Sequence, residues 1–186
     1  MAYDKEKHHR HSIRLPGYDY SQIGMYFVTI CAHERQCSFG RIMDGVIQMN
    51  ATGRMIWETW DNLPRHYPHM EPDAFMVMPN HVHAIILLTD AVGAGLKPAP
   101  TAIRYSLSEI VRGFKTFSAR QINQSRGTLG VPVWQRGYYE HVIRNEHEWS
   151  RVRDYIETNP ARWAEDRENP EKRASQKRSV KPGWRV

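Results

Sequence analysis

Cysteine is almost absent from this chain of 186 residues, where only Cys31 and Cys37 occur. Two thiols cannot build the disulfide framework of a small secreted scaffold or a four-cysteine zinc site, so reduced cytosolic thiols are expected. Long apolar runs are missing as well. A run such as residues 84–88, which none exceeds, has the length of a strand and falls far short of the ~18 residues of a membrane helix. The opening Met1-Ala2-Tyr3-Asp4-Lys5 shows no apolar stretch of the signal-peptide kind. The expectation is a cytoplasmic, nucleoid-associated protein, neither membrane-spanning nor secreted.

A hydrophobic content of 40% is enough for a packed core, and the length suits one domain with extensions. An acidic excess is also lacking: the formal net charge is +6. Lys5, Lys7, Arg10 and Arg14 outweigh Asp4 and Glu6 at the start, and basic side chains again outnumber acidic ones over residues 166–186. The middle of the chain balances. Basic arms of this kind commonly hold phosphate backbones. The boundaries expected are a basic arm over 1–17, a domain over 18–165 and a basic, loosely held tail over 166–186. The cluster His8-His9-Arg10-His11 reads as part of the solvated arm.

Residues 25–32 (MYFVTICA) are β-branched and aromatic and predict a first strand. Residues 39–43 and 46–49, joined by Asp44-Gly45, predict a hairpin. Asn50 is placed to cap a helix running to Asn62, with Pro64 just beyond its end. Strands are predicted over 75–78 and 81–88 around a turn at Pro79-Asn80. The Gly, Ala and Pro-rich stretch 90–102 has the composition of a loop insertion. A helix over 105–124 turns Leu107, Ile110, Val111, Phe114 and Phe117 inward, and its other face offers Arg112, Lys115 and Arg120. Short strands over 133–135 and 138–143 follow. A last helix begins near Asn145 and ends by Asn159, because Pro160 disfavours helical geometry in the residue before it. The order predicts an α+β sandwich, helices packed on a largely antiparallel sheet.

His81-Val82-His83 carries the sharpest local signal. Residues two apart on a strand share a face about 6.6–6.8 Å apart, so both imidazoles can lean onto one ion while Val82 anchors the opposite face. On the last helix Trp149, Val152 and Ile156 form the core stripe, and Tyr155 and Asn159 lie one above the other at its edge. Several histidine chemistries do not fit. A histidine-triad hydrolase needs a third alternating histidine where Ile85 stands. A zincin needs two histidines four apart on a helix with a glutamate between them. A two-histidine phosphoesterase needs two separated His-x-Ser/Thr units.

The run Met78-Pro79-Asn80-His81-Val82-His83 resembles the HUH motif, two histidines flanking a bulky hydrophobe. The later run from Trp134 to Arg144, then Asp154-Tyr155-Ile156 and Asn159-Pro160, is similar to the REP-associated tyrosine transposases, relatives of the single-tyrosine HUH transposases of insertion sequences. The similarity spans residues 18–163 in matching motif order. It implies a metal-dependent single-stranded DNA endonuclease and strand transferase on a ferredoxin-like sheet, acting on hairpins of extragenic palindromes. By motif position Tyr155 is the implied nucleophile, and His81, His83 and Asn159 are the implied ligands of Mg²⁺ or Mn²⁺. Asparagine fits the REP-associated branch, where insertion-sequence relatives often carry glutamine.

Attack by the phenolic oxygen would leave a 5′-phosphotyrosine and a free 3′-hydroxyl, and reversal would rejoin strands without ATP. A phenol with a pKa near 10 needs help to lose its proton, with Glu148, Arg151 and the metal as candidate influences. Arg112, Lys115, Arg120, Arg136, Tyr139 and Arg144 are candidate DNA contacts through phosphate pairing or base stacking. Two other readings stand beside this one: an HUH replication initiator or relaxase-like nickase, and a non-catalytic nucleic-acid-binding module. Whether Tyr155 serves its own histidine pair or that of a partner in a homodimer stays open.

Overall fold

Residues 17–90 and 104–172 are described by a computed structural model of the chain. The expectations for the N-terminal arm, for the insertion beyond residue 90 and for the tail beyond residue 172 lie outside the described residues.

The strand β1 (Gly24–Cys31) alternates its side chains between two cores. Tyr26, Val28 and Ile30 enter the larger core, and Phe27 enters the smaller one on the opposite face. Next come a hairpin of β2 (Gly40–Met43) and β3 (Val46–Met49), the helix α1 (Ala51–Asn62), and the strands β4 (Met70–Val77) and β5 (His81–Leu88). Helix α2 (Leu107–Arg126), strand β6 (Tyr139–Ile143), helix α3 (Glu146–Thr158) and a 3₁₀ turn over Pro160–Glu165 complete the described chain. The main sheet has the order β4-β5-β1-β6 and every pairing is antiparallel. With the β2–β3 hairpin set aside, this is the βαββαβ ferredoxin-like order expected, followed by α3.

Local chemistry explains the boundaries. Asn50 accepts a hydrogen bond from Gly53 N at 3.1 Å and caps α1 as predicted. Ser106 and Glu109 form a reciprocal capping box that starts α2, and Gly127 closes it in the left-handed region at φ 66°. Helices α1 and α2 supply Ile56, Trp60, Ile110, Val111 and Phe114 to the larger core. Helix α3 lies on the other face, where Ile156 packs with Phe27, Ile85 and Ile143, with Trp149 and Val152 against them.

Three sequence expectations change. Strand β4 starts at Met70, not at residue 75, with a register shift between Pro72 and Phe75. A proline and a bulge are tolerated there because β4 is an edge strand, and they mask the alternation in the sequence. Residues 133–135 make a single bridge, Ala32 with Trp134, and no strand. β1 ends at Cys31 and the chain turns at His33–Arg35, so a ladder has nothing to continue on. The third change concerns Phe117, which is exposed and rests against the His66 ring, while Ser118 takes the inward position and accepts from Trp134 Nε1 at 3.0 Å.

The β4 irregularity has a use. Asp73 within it accepts a hydrogen bond from Trp149 Nε1 at 2.5 Å and pairs with Arg153 at 3.3 Å, tying α3 to the sheet edge. Charge-assisted bonds of this kind contribute about 1.5–3 kcal/mol. Asp73→Ala is therefore expected to destabilise the fold by about 1–3 kcal/mol, read as a lower urea midpoint at unchanged slope.

Candidate active site

The central sheet register builds the site. Thr29 on β1 stands opposite His83 on β5 and opposite Tyr139 on β6, so all three share the face that α3 covers. His81 is one step further along, opposite Cys31. Both imidazoles are buried, and their Nε2 atoms lie 3.0 Å apart. Each Nδ1 is held from behind: His81 Nδ1 is 2.9 Å from Asn80 Oδ1, and His83 Nδ1 is 2.9 Å from Thr29 Oγ1. Val82 points into the opposite core, as expected.

Helix α3 brings Tyr155 to this pair. Its hydroxyl is 3.4 Å from His83 Nε2, and its ring meets Phe27 edge-on with centroids 6.1 Å apart. Tyr155 is 38% exposed, so the phenol reaches both the histidines and solvent. It lines a cavity of about 420 Å³ together with Thr29, His83, Arg136, Tyr139 and Arg167. Asn159, at the end of α3, is buried, and its Oδ1 has no hydrogen-bond partner.

The stretch expected as a loosely held tail begins instead by packing on the site. Asp166, Glu168 and Asn169 are buried. Asp166 Oδ2 is 3.9 Å from His81 Nε2, and Asp166 Oδ1 accepts from Glu168 N at 2.6 Å. Asn169 Nδ2 donates to Trp163 O at 2.9 Å, and Glu168 pairs with Arg35. Net charge hid this segment, because its basic excess belongs to residues further on. The available signal was local: an Asp whose side chain can bond the backbone two residues on, in the manner of an Asx turn.

Burial sets the electrostatics. It pushes the His81 imidazole down to about 3, with the nearby Arg35 charge acting the same way. His83 is likewise driven well below its ordinary value by burial and by His81, against the opposing pull of Asp166. Both rings are therefore neutral near pH 7. The Tyr155 phenol is pushed up, first by burial and then by the Asp166 carboxylate, while Asn159, Arg167 and Arg162 act in the other direction.

These residues fit a divalent cation. Ligand atoms of His81, His83 and Asp166 lie within 4.8 Å of one another. Neutral imidazoles and a carboxylate make a mixed N/O donor set, and the orphaned buried amide oxygen of Asn159 is a further candidate donor. Asp166 and Asn159 also line one small cavity with Tyr155. Asp166 is a candidate donor that sequence reasoning missed.

The other candidate residues divide. Arg136 and Tyr139 line the Tyr155 cavity. Lys115 spends its amine on Gln135 O at 2.6 Å and Gly137 O at 3.1 Å, anchoring the loop that carries Arg136. Arg112 and Lys115 line a second cavity that shares Gly137 and Tyr138 with the first. Arg120 is exposed on α2, and Arg144 is exposed at the end of β6; neither lines the Tyr155 cavity. Glu148 is engaged at the β6–α3 corner, bonded to His141 at 2.6 Å and to Arg144 N at 2.9 Å. Among the described residues no helix is long and apolar enough to cross a membrane.

Comparison with known proteins adds the lineage. No family model matches the chain. An uncharacterised protein of Haemophilus influenzae is 37% identical over 177 residues, covering 88% of this chain and 95% of that protein. A provisionally named REP-associated tyrosine transposase of the same organism is 27% identical over 147 residues, 77% of this chain and 74% of its own length. The fold matches a solved REP-associated tyrosine transposase bound to a REP hairpin, with a TM-score of 0.56, 20% identity, and coverage of 95% of this chain and 92% of that one. The α+β sandwich with its four-stranded antiparallel sheet is thus the fold of that solved structure along most of the chain. In sequence and in fold, the chain thus resembles the REP-associated tyrosine transposases.

A pH dependence of stability follows from the buried imidazoles. Their folded pKa values lie below the ordinary value of 6.5. The neutral-ring contribution is thus fully present above pH 6.5 and is lost as the pH falls toward the folded values. In metal-free protein the unfolding free energy read by urea is expected to fall as the pH drops below 6.5, for His81 down to about pH 3, by up to about 1.4 kcal/mol per pH unit for each ring. His83→Gln is expected to flatten that slope.

Proposed function

We propose that the chain is a metal-dependent single-stranded DNA endonuclease and strand transferase that acts through a 5′-phosphotyrosine on Tyr155. The observation that carries this reading is the approach of the Tyr155 hydroxyl to 3.4 Å from His83 Nε2, at the mouth of an open, arginine-lined cavity. The substrate class is hairpin DNA of palindromic repeats, supported by the relative whose solved structure holds a REP hairpin.

In this reading His81, His83 and Asn159, joined by Asp166, hold Mg²⁺ or Mn²⁺. The ion, when bound, supplies charge neutralisation at the scissile phosphate and stabilises the departing oxygen. The chain's own residues do the rest. Tyr155 Oη loses its proton and forms a bond to phosphorus, the P–O3′ bond breaks, and the 3′-oxygen leaves as a hydroxyl after taking up a proton. One phosphoester replaces another, so the reverse attack by a 3′-hydroxyl reseals a strand. Arg136 and Arg167 present positive charge to the phosphate backbone from the cavity wall, and Tyr139 offers a ring for base stacking. Phe27 meets the Tyr155 ring edge-on.

The test incubates the protein with labelled hairpin DNA carrying a single-stranded flank and Mg²⁺ or Mn²⁺, then resolves covalent adducts on a denaturing gel. An adduct is expected with the wild-type chain and is expected to disappear with EDTA, His83→Ala and Tyr155→Phe. An adduct that persists in Tyr155→Phe would overturn the assignment of the nucleophile. Arg136→Ala is expected to weaken single-stranded DNA binding at every sequence. It should also lower the slope of log affinity against log salt by about 1, as loss of one phosphate contact does.

A further inference from the structure

The two histidines are held from behind by unlike partners. Asn80 is fully buried at the turn that leads into β5. Its side-chain amide meets two backbone carbonyls, Arg35 O at 3.0 Å and Glu168 O at 2.8 Å. Carbonyl oxygens only accept, so the group facing them is the NH₂, and both its hydrogens are spent. Asn80 Oδ1 is left to face His81 Nδ1 at 2.9 Å as an acceptor. His81 Nδ1 must then carry the hydrogen, and in the neutral ring Nε2 is bare.

His83 has a different support. Thr29 Oγ1, 2.9 Å from His83 Nδ1, is a hydroxyl that can donate or accept. With the facing Nε2 atoms 3.0 Å apart and that of His81 bare, the hydrogen between the rings comes from His83 Nε2. His83 Nδ1 is then bare and accepts from the Thr29 hydroxyl. For His83 Nε2 to face a cation, its hydrogen must move to Nδ1, and Thr29 must turn to accept it. Beyond that proton shift, only a rotation about one C–O bond is asked of the protein.

We propose that Asn80 and Thr29 are the positioning residues of the histidine pair: Asn80 fixes His81 permanently in the tautomer that presents a bare Nε2, and Thr29 lets His83 exchange tautomers between the empty and cation-bound site. His81 is the preset donor and His83 the adaptable one. The inference rests on the proposed metal reading for its purpose, and on the hydrogen-bond geometry alone for its tautomers. Outer partners of metal-binding histidines typically affect affinity about 10–100-fold.

Two measurements on the full chain test it. Histidine ¹⁵N–¹H correlation spectra of the metal-free protein at neutral pH are expected to show His81 protonated on Nδ1 and His83 on Nε2. A His81 ring protonated on Nε2 would overturn the role of Asn80. Titration with Mn²⁺ is expected to give about 10–100-fold weaker binding for Thr29→Val, with affinity restored in Thr29→Ser. Thermal midpoints of both variants should stay near that of the wild type. Mn²⁺ binding by Thr29→Val within twofold of wild type overturns the Thr29 role alone. Absence of Mn²⁺ binding by the wild-type chain overturns both this inference and the metal part of the proposed function.

Discussion

Two buried imidazoles whose facing nitrogens are 3.0 Å apart cannot both be protonated toward each other. Burial already drives both rings neutral, so the pair needs one bare nitrogen, or a cation, between its members. The sheet enforces that proximity. Its β5 strand puts both rings on one face, the β1 register sets Thr29 behind His83, and the Pro79-Asn80 turn sets an amide behind His81. Almost every other feature of the site either supplies a polar neighbour to this pair or keeps water from it.

Helix α3 is the second support. It could not be docked by apolar contacts alone, because of its residues only Ile156 is fully buried. The remaining fixation is polar: Trp149 and Arg153 on Asp73 at one side, and the Asn145 cap, which accepts from Glu148 N at 2.8 Å, at its start. Polar bonds at a helix surface are directional, so they set the rotation of the helix about its axis as well as its position. That rotation decides whether Tyr155 points at His83 or at solvent.

Much of this was legible in the sequence, since period and capping chemistry are local. The Asn50 cap, the start of α3 near Asn145, the β2–β3 hairpin and the shared face of His81 and His83 all follow from neighbouring residues. The α3 stripe of Trp149, Val152 and Ile156 likewise fixed which edge carries Tyr155. What escaped depends on contacts between distant segments. Asp166 is separated from the histidine strand by α2, β6, α3 and the 3₁₀ turn, and its local Asx-turn signal does not say against what it packs. Asn80 sat beside the motif but read as a turn residue; its meaning comes from Arg35 O and Glu168 O, both remote in sequence. Lys115 looked like one of several exposed cations on α2, yet it tethers the Arg136 loop through two carbonyls.

Asp166 also gives the site its electrostatic tension. Its carboxylate approaches His81 and at the same time raises the Tyr155 pKa, so its charge opposes formation of the phenolate. A nucleophile held in its protonated form beside an unneutralised carboxylate is a poor one. In the proposed reading, positive charge arriving in the donor cluster offsets Asp166 first, because that oxygen lies in the cluster itself, and the phenol feels the relief through space. Arg162 and Arg167 already lean in the same direction, from the side of the segment that carries Asp166. In that reading the acidity of the tyrosine is tied to occupancy of the histidine pair by charge alone, without any requirement that α3 move.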